Sequence, residues 1–354
     1  MLMSVIAVVL VFGGLIFFHE LGHFTAARSL GMGVSTFSLG FGPKLVKVKK
    51  GKTEYALSLL PLGGYVALVG EQDEQELPEG FTKEESFALR PAWQRLIVVL
   101  AGPIANIVLA LILCIILTMG WGVQTLTANI GQITDGSPAK EAGLQKGDTV
   151  QAINGKAISS WEEMSDTIAS SNGAPLLMTV ERGDSLVEVT VTPKKSERKT
   201  IFGDTETAWL IGVMSSGAYV TSNPGLGGSI QAGARQCVSM ISMTWQGFLK
   251  LIQRAVPADQ VGGPIMIAQV IGQSSSDLGG LLGLAALISI NLGILNLLPV
   301  PVLDGGTAVF CIWEIIFRRP INKKIFAVSI RIGIALLLAL MVFATFNDVM
   351  RLLK

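Results

Sequence analysis

The sequence is poor in charge: 15% of its 354 residues are Asp, Glu, Lys or Arg, where an ordinary soluble domain carries about a quarter. That shortage excludes a chain built only of water-exposed globular domains. The two signs nearly cancel, 27 basic against 26 acidic residues for a net charge of +1, so no positive surplus exists to hold a nucleic acid. Cysteine is scarce too. Cys114, Cys237 and Cys311 are far apart, and two lie in apolar runs. That excludes a disulfide framework and a cysteine-based zinc site, and leaves three small buried apolar side chains. Histidine occurs only twice, as His19 and His23.

What the chain has instead is apolar length. About 20 residues cross the hydrocarbon core of a bilayer as a helix. Stretches near Ser4–Leu30, Leu96–Gly120, Leu281–Leu303 and Ile325–Phe346 reach that length, and Arg331 in the last can snorkel to the interface. Ser4–Phe18 has the length of a signal-peptide core. No basic segment precedes it, however, and a charged motif stands where a cleavage site should be, so it reads as a retained helix. The expected fold class is a polytopic α-helical membrane protein with about four transmembrane helices.

Positive charge sets the expected orientation. Lys44, Lys47, Lys49, Lys50 and Lys52 lie between the first and second spans, and Arg318, Arg319, Lys323 and Lys324 between the third and fourth. Both connections should be cytoplasmic. Both termini and the segment 121–280 then lie on the opposite side, which divides the chain into 1–120, 121–195, 196–280 and 281–354.

Within 121–195 the signals are those of a small α+β domain. Ser137 and Pro138 open a short helix that Gly143 closes. Ser160-Trp161-Glu162-Glu163 is a capping box for a helix ending at Gly173. Leu176–Glu181 and Leu186–Val191 read as strands joined by Arg182-Gly183-Asp184. Beyond it, Lys194–Lys199 reads as a solvated linker, Gln236–Val256 as an amphipathic helix, and the chain at Gly279 as a connector. Between the first two spans, Ala56–Val69 is apolar but too interrupted by Gly and Pro to span. It reads as two short strands around Gly63-Gly64, a re-entrant hairpin at about 54–70 on the cytoplasmic side. Such a hairpin is tolerated at membrane depth only where protein buries it or it lines a wet cavity. The acidic stretch Glu71–Glu85 reads as an exposed loop.

The chemistry is concentrated in His19-Glu20-Leu21-Gly22-His23. On a helix, residues four apart share a face, so two imidazoles can bind one zinc while Glu20 serves as general base. The bland alternative, two histidines packed between helices, fares badly because ionisable groups in a span are costly. A catalytic zinc takes three protein ligands. With no further histidine and no cysteine cluster, a carboxylate in an apolar setting is expected, and Asp304 in Asn296-Leu297-Leu298-Pro299-Val300-Pro301-Val302-Leu303-Asp304-Gly305-Gly306 fits. Asp304 and Glu20 fall at similar depth. Glu314 and Asp348 compete less well, since Asp348 falls at the opposite face, and a helix-cap role for Asp304 remains the alternative.

These motifs, with Gly102-Pro103-Ile104-Ala105-Asn106 in the second span, resemble the site-2 protease family of intramembrane zinc metalloproteases. The order of parts is similar to the bacterial RseP type, as are Gly40-Phe41-Gly42, Pro61–Val69 and Gly262-Gly263-Pro264-Ile265. Asn129–Asn154 resembles a PDZ domain; the best-known RseP-type members carry two such units, and this chain has one. The resemblance implies one zinc per chain on His19, His23 and Asp304, with Glu20 moving the proton. Asn296 and Asn106 would bond an unwound substrate backbone or order the site; helix–helix hydrogen bonding is the alternative. Tyr65, Gly63 and Gly64 would offer a strand edge, and Gly40, Phe41 and Gly42 substrate contact or a plain turn. The implied substrates are single-span membrane proteins first trimmed by another protease, such as anti-sigma factors, or leftover signal peptides. The implied setting is the lipid bilayer of a bacterial inner membrane, with the site near the cytoplasmic leaflet. A membrane-anchored PDZ scaffold with a non-catalytic metal site is the rival reading. A transporter would show paired inverted repeats, and none is visible.

Overall fold

In the computed structural model, which describes residues 2–71, 77–200, 205–253 and 262–353, the apolar start of the chain forms helix α1 (Leu2–Ser29). Gly31, at φ +72°, ends it, because a residue without Cβ enters the left-handed conformation at no steric cost. The chain then runs into a long antiparallel hairpin, β1 (Val34–Lys50) and β2 (Thr53–Leu68).

The expected turn at Gly63-Gly64 is corrected here. The reversal falls at Gly51-Lys52, where Gly51 has φ +64°, and Gly63 and Gly64 sit inside β2. Their lack of side chains makes room rather than a turn. A Cβ on Gly63 would overlap the Phe41 ring, and one on Gly64 would lie 2.9 Å from the Ser38 carbonyl. The hairpin is also longer than 54–70. Thr36–Leu39 is matched both to Glu54–Leu57 and to Gly64–Ala67, with Lys47–Lys50 beyond the former. Among the described residues no strand covers the other side of Gly64–Ala67, which leaves that edge free.

Helix α2 (Ala92–Trp121) leads to β3 (Val123–Leu126), β4 (Ile130–Ile133), α3 (Pro138–Glu141), β5 (Thr149–Ile153), β6 (Lys156–Ala157), α4 (Trp161–Ser170), β7 (Leu176–Arg182) and β8 (Ser185–Val191). Here the sequence expectations meet the observed elements closely. The Ser137 and Ser160 hydroxyls accept from the Lys140 and Glu163 amides. Glu163 returns its bond to the Ser159 amide, 3.1 Å away, one residue earlier than a standard capping box. Four strands pair in the order β6-β5-β7-β8 over a core that includes Ile130, Val150, Met164, Met178 and Val180. The strands turn at Gly183-Asp184.

Lys194–Lys199 is a strand, β9, not a linker. It pairs with β10 (Thr205–Leu210). Its residues lack apolar alternation, and cross-strand contacts supply the pairing instead: Arg198 with Glu206 at 2.6 Å, and the Lys195 ammonium 5.5 Å from the Trp209 ring centre. Strands β11 (Val213–Ser215) and β12 (Tyr219–Ser222) return to β4 and β3. The compact unit therefore extends over Thr118–Ile230, with its entering and leaving strands side by side.

The second unit takes the residues up to Leu117, Gln231–Phe248 and the C-terminal part. Helix α5 (Gly225–Ile252) begins well before Gln236, and α6 (Pro264–Ser274) was not foreseen. The Gly279 segment is the first turn of α7 (Leu278–Asn296), capped by the Asp277 carboxylate, which accepts from the Gly279 and Gly280 amides. The expected third span to Leu303 is thus shorter. Pro299 and Pro301 cannot donate backbone hydrogen bonds, so the chain leaves the helix after Asn296 and re-enters one only at Asp304, the first residue of α8 (Asp304–Phe317). Helix α9 (Lys323–Leu352) closes the chain. Helices α1, α2, α7 and α9 are long and apolar enough to cross a membrane.

Candidate active site

The two histidines project from one face of α1, with ring centres 4.9 Å apart and Nε2 atoms 3.3 Å apart. Asp304 meets them from the start of α8: Oδ2 lies 3.2 Å from His19 Nε2 and Oδ1 3.5 Å from His23 Nε2. The three residues' ligand atoms lie within 4.8 Å of one another. Asp304 Oδ2 is buried yet accepts no hydrogen bond. A carboxylate oxygen hidden from water without a donor is costly. A cation among the three atoms would satisfy it, and two nitrogens with one oxygen are a donor set that suits zinc.

Three local features bring these atoms together. A Cβ on Gly22 would overlap the Ala101 carbonyl, so the absence of a side chain lets α1 and α2 approach closely. A Cβ on Gly102 would overlap the His23 ring. His23 Nδ1 donates to the Val98 carbonyl at 2.8 Å, which directs its Nε2 lone pair into the cluster. The turn preceding Asp304 is wrapped tightly. A side chain on Gly305 would strike the Leu297 and Leu298 carbonyls, and one on Gly306 the Val300 carbonyl. Val302 adopts φ +95°, a conformation strained for a β-branched residue.

Glu20 follows His19 on α1 and points toward β2. A Cβ on Gly64 would lie 3.2 Å from Glu20 Cγ, and the Val66 backbone lies beside its carboxylate. The free edge of the hairpin thus runs beside Glu20.

The other residues singled out in the sequence divide into two groups. Asn296, the last residue of α7, has its Nδ2 3.4 Å from His19 Nε2, at the cluster. Asn106 is fully buried on the outer side of His19, its amide 3.1 Å from Nδ1. Phe41 stacks on Tyr65, ring centres 6.3 Å apart, and covers Gly63. Gly40 and Gly42, at φ +92° and +86°, flank Phe41 and break the regularity of β1; they do not touch the cluster. Sequence reasoning missed the Val98 carbonyl and Ser289. The Ser289 hydroxyl donates to the Asn106 carbonyl at 2.7 Å and ties α7 to α2. The four-residue spacing of Gly102 and Asn106 on α2 matches that of the two histidines, and that match was the signal available.

A helix-borne His-Glu-x-x-His whose histidines converge with an aspartate, set among helices of membrane-spanning length, defines a class: membrane metallopeptidases. Comparison with known proteins makes the assignment. The pattern of peptidase family M50 matches residues 7–340, and the chain belongs to that family. It is a zinc-dependent protease. A Campylobacter jejuni protein with the provisional name of zinc metalloprotease is 40% identical, over 98% of this chain and 94% of that protein. The regulator of sigma-W protease RasP of Bacillus subtilis is 30% identical over 99% of both, and the zinc metalloprotease RasP of Geobacillus kaustophilus 33% over 98% of both. Among solved structures, a PDZ domain of an SdrC-like protein from Listeria monocytogenes aligns with 26% of this chain and 90% of that chain at 22% identity. Its TM-score is 0.21, too slight a likeness to bear on the fold.

Proposed function

We propose that this protease cuts single-span membrane proteins within or beside their transmembrane segments, holding one zinc on His19, His23 and Asp304 and using Glu20 as acid and base. The observation that carries the reading is the position of Glu20: beside the three-residue cluster on one side and the free edge of Gly64–Ala67 on the other. A transmembrane helix hides its carbonyls in internal hydrogen bonds, so the scissile segment must unwind before it can react. Pairing the unwound segment with the β2 edge near Tyr65 satisfies its backbone where water is scarce. Gly63 and Gly64 keep that approach open, and Gly40-Phe41-Gly42 shapes the strand behind it.

When bound, zinc supplies Lewis acidity toward water and the scissile carbonyl. Glu20 takes a proton from the attacking water as its oxygen adds to the carbonyl carbon. It then delivers that proton to the amide nitrogen as the C–N bond breaks. Asn296 Nδ2 donates to the developing oxyanion.

The substrates in this reading are proteins already shortened outside the cytoplasm, such as anti-sigma-factor-like proteins, or remnant signal peptides; the name of the Bacillus relative is in keeping with the former. With the lysine-rich and arginine-rich connections on the cytoplasmic side, the site in this reading lies near the cytoplasmic leaflet of a bacterial inner membrane. The inserted α+β unit, a PDZ module in this reading, and both termini then lie outside.

The test uses detergent-purified protein and a trimmed single-span substrate, with the cut mapped by mass spectrometry. Wild type cuts inside the apolar segment, and Glu20→Gln keeps its zinc while losing about 10²- to 10⁴-fold in rate. Cuts confined to the substrate's soluble tails, or a Glu20→Gln rate equal to wild type, would contradict the reading.

A further inference from the structure

The second-span motif Gly102-Pro103-Ile104-Ala105-Asn106 faces the two histidines residue for residue. Gly102 lies against His23 and Asn106 against His19, two pairs each four residues apart on neighbouring helices. The two imidazoles are nevertheless held by different means. His23 Nδ1 has the Val98 backbone carbonyl at 2.8 Å, a pure acceptor, so its tautomer is set by the main chain. His19 Nδ1 has only a side chain at hydrogen-bonding distance, the terminal amide of Asn106 at 3.1 Å.

A neutral imidazole carries one proton, and the nitrogen that lacks it is the one that can ligate. His19 Nε2 points into the cluster, 3.2 Å from Asp304 Oδ2. For Nε2 to hold a metal, Nδ1 must carry the proton and needs an acceptor. A primary amide offers a donor at one end and an acceptor at the other, exchanged by a half-turn of the group, and the hydrogen-bond network decides which end is presented. With Nδ2 toward the ring, Nδ1 would be the acceptor and Nε2 would be protonated. Asn106 Oδ1 would meanwhile be left buried with no partner, as it stands in this geometry. Turned, Oδ1 accepts from Nδ1–H and frees the Nε2 lone pair.

We infer that Asn106 is a positioning residue for the metal site: through its side-chain oxygen it fixes the tautomer and ring orientation of His19. Asn106 is fully buried, and its own backbone carbonyl is held by the Ser289 hydroxyl. It therefore acts through His19 rather than by touching a substrate. The inference rests on the ligand set given under the proposed function. It explains why an amide, with no packing advantage over a leucine of similar volume, stands fully buried behind the site. Partners of this kind on metal-binding histidines change affinity by about 10- to 100-fold when removed.

The test is zinc affinity by competition with a chromogenic chelator, on full-length protein in detergent, for wild type, Asn106→Leu and Asn106→Asp. Leucine fills the space but cannot accept a hydrogen bond; aspartate accepts it. Asn106→Leu should bind zinc about 10- to 100-fold more weakly, with a changed visible spectrum when cobalt replaces zinc. Asn106→Asp should restore wild-type affinity and spectrum. If Asn106 only packs, leucine will bind zinc as well as aspartate or better, and that result overturns the inference. A wild type that binds no zinc would instead refute the ligand set, a different failure read from a different sample.

Discussion

The two units of the chain differ in where they keep polar and apolar side chains. In the Thr118–Ile230 unit the interior is apolar, built on Ile130, Val150, Ile153, Met178 and Val180, and its buried carboxylate, Asp148, is matched by Arg182 at 2.7 Å. In the other unit His19, Ser38, Asn106, Ser289 and Asp348 are all buried, while Ile332, Leu338, Val342 and Phe346 of α9 are exposed. The difference follows from the surroundings. Where water lies outside, apolar surface collapses inward. Where lipid lies outside, apolar side chains can stay at the surface and polar groups gather inside, each needing a partner because none is available from solvent.

Several polar groups of the membrane-spanning unit show how that need is met. Asp348 accepts from the Gly263, Ile265 and Met266 amides and so caps α6 from a distant helix. The Ser38 and Ser58 hydroxyls pair at 3.0 Å. Ser86 Oγ, Arg90 Nε, Gln94 Oε1, Asn106 Oδ1 and Asp304 Oδ2 are buried without a partner in this unit, and the last two belong to the histidine cluster.

Substitutions can break this contrast. The largest effect is expected from Gly102→Val, whose side chain would occupy the space of the His23 ring. Zinc affinity should fall at least about 10-fold, read by chelator competition, while the inserted unit keeps its fold. Met178→Ala should do the converse. Met178 is fully buried in the apolar core, so its truncation should lower the unfolding free energy of that unit by about 2–5 kcal/mol. Denaturant unfolding followed by Trp209 fluorescence would measure it, with zinc affinity unchanged. The smallest effect belongs to Gly14→Ala on α1, where an added Cβ meets nothing within 4 Å. It should leave activity intact and stabilise the helix by no more than about 1 kcal/mol. An equal loss from Gly14→Ala and Gly102→Val would mean that glycines matter on these helices for general flexibility, not for room around the histidines.

Much of this was legible in the sequence, and the reasons differ by element. Apolar length identified α1, α2 and α9, and the spacing of His19, Glu20 and His23 identified the chemistry, because both depend only on local periodicity. Asp304 could be reached by elimination in a chain with two histidines. The capped helices α3 and α4 were legible because caps are local. The hairpin was misjudged because Gly63-Gly64 has the composition of a turn, whereas its role, space beneath Phe41 and beside Glu20, depends on strands distant in sequence. β9 was hidden because its pairing rests on charge and an aromatic ring rather than on alternation. The third span was drawn too long because the apolar run continues through Pro299 and Pro301, although the helix does not. The division of labour between Asn106 and the Val98 carbonyl lies in the register between α1 and α2, which a single sequence does not encode in any local pattern.

The most direct test of the central claim is the zinc content of purified wild-type protein beside that of Asp304→Ala, each after dialysis against a limiting chelator. One zinc per wild-type chain, and near-complete loss in Asp304→Ala, is the result expected if His19, His23 and Asp304 together form the site. Zinc retained at the wild-type level by Asp304→Ala would contradict it, and would place the third ligand elsewhere.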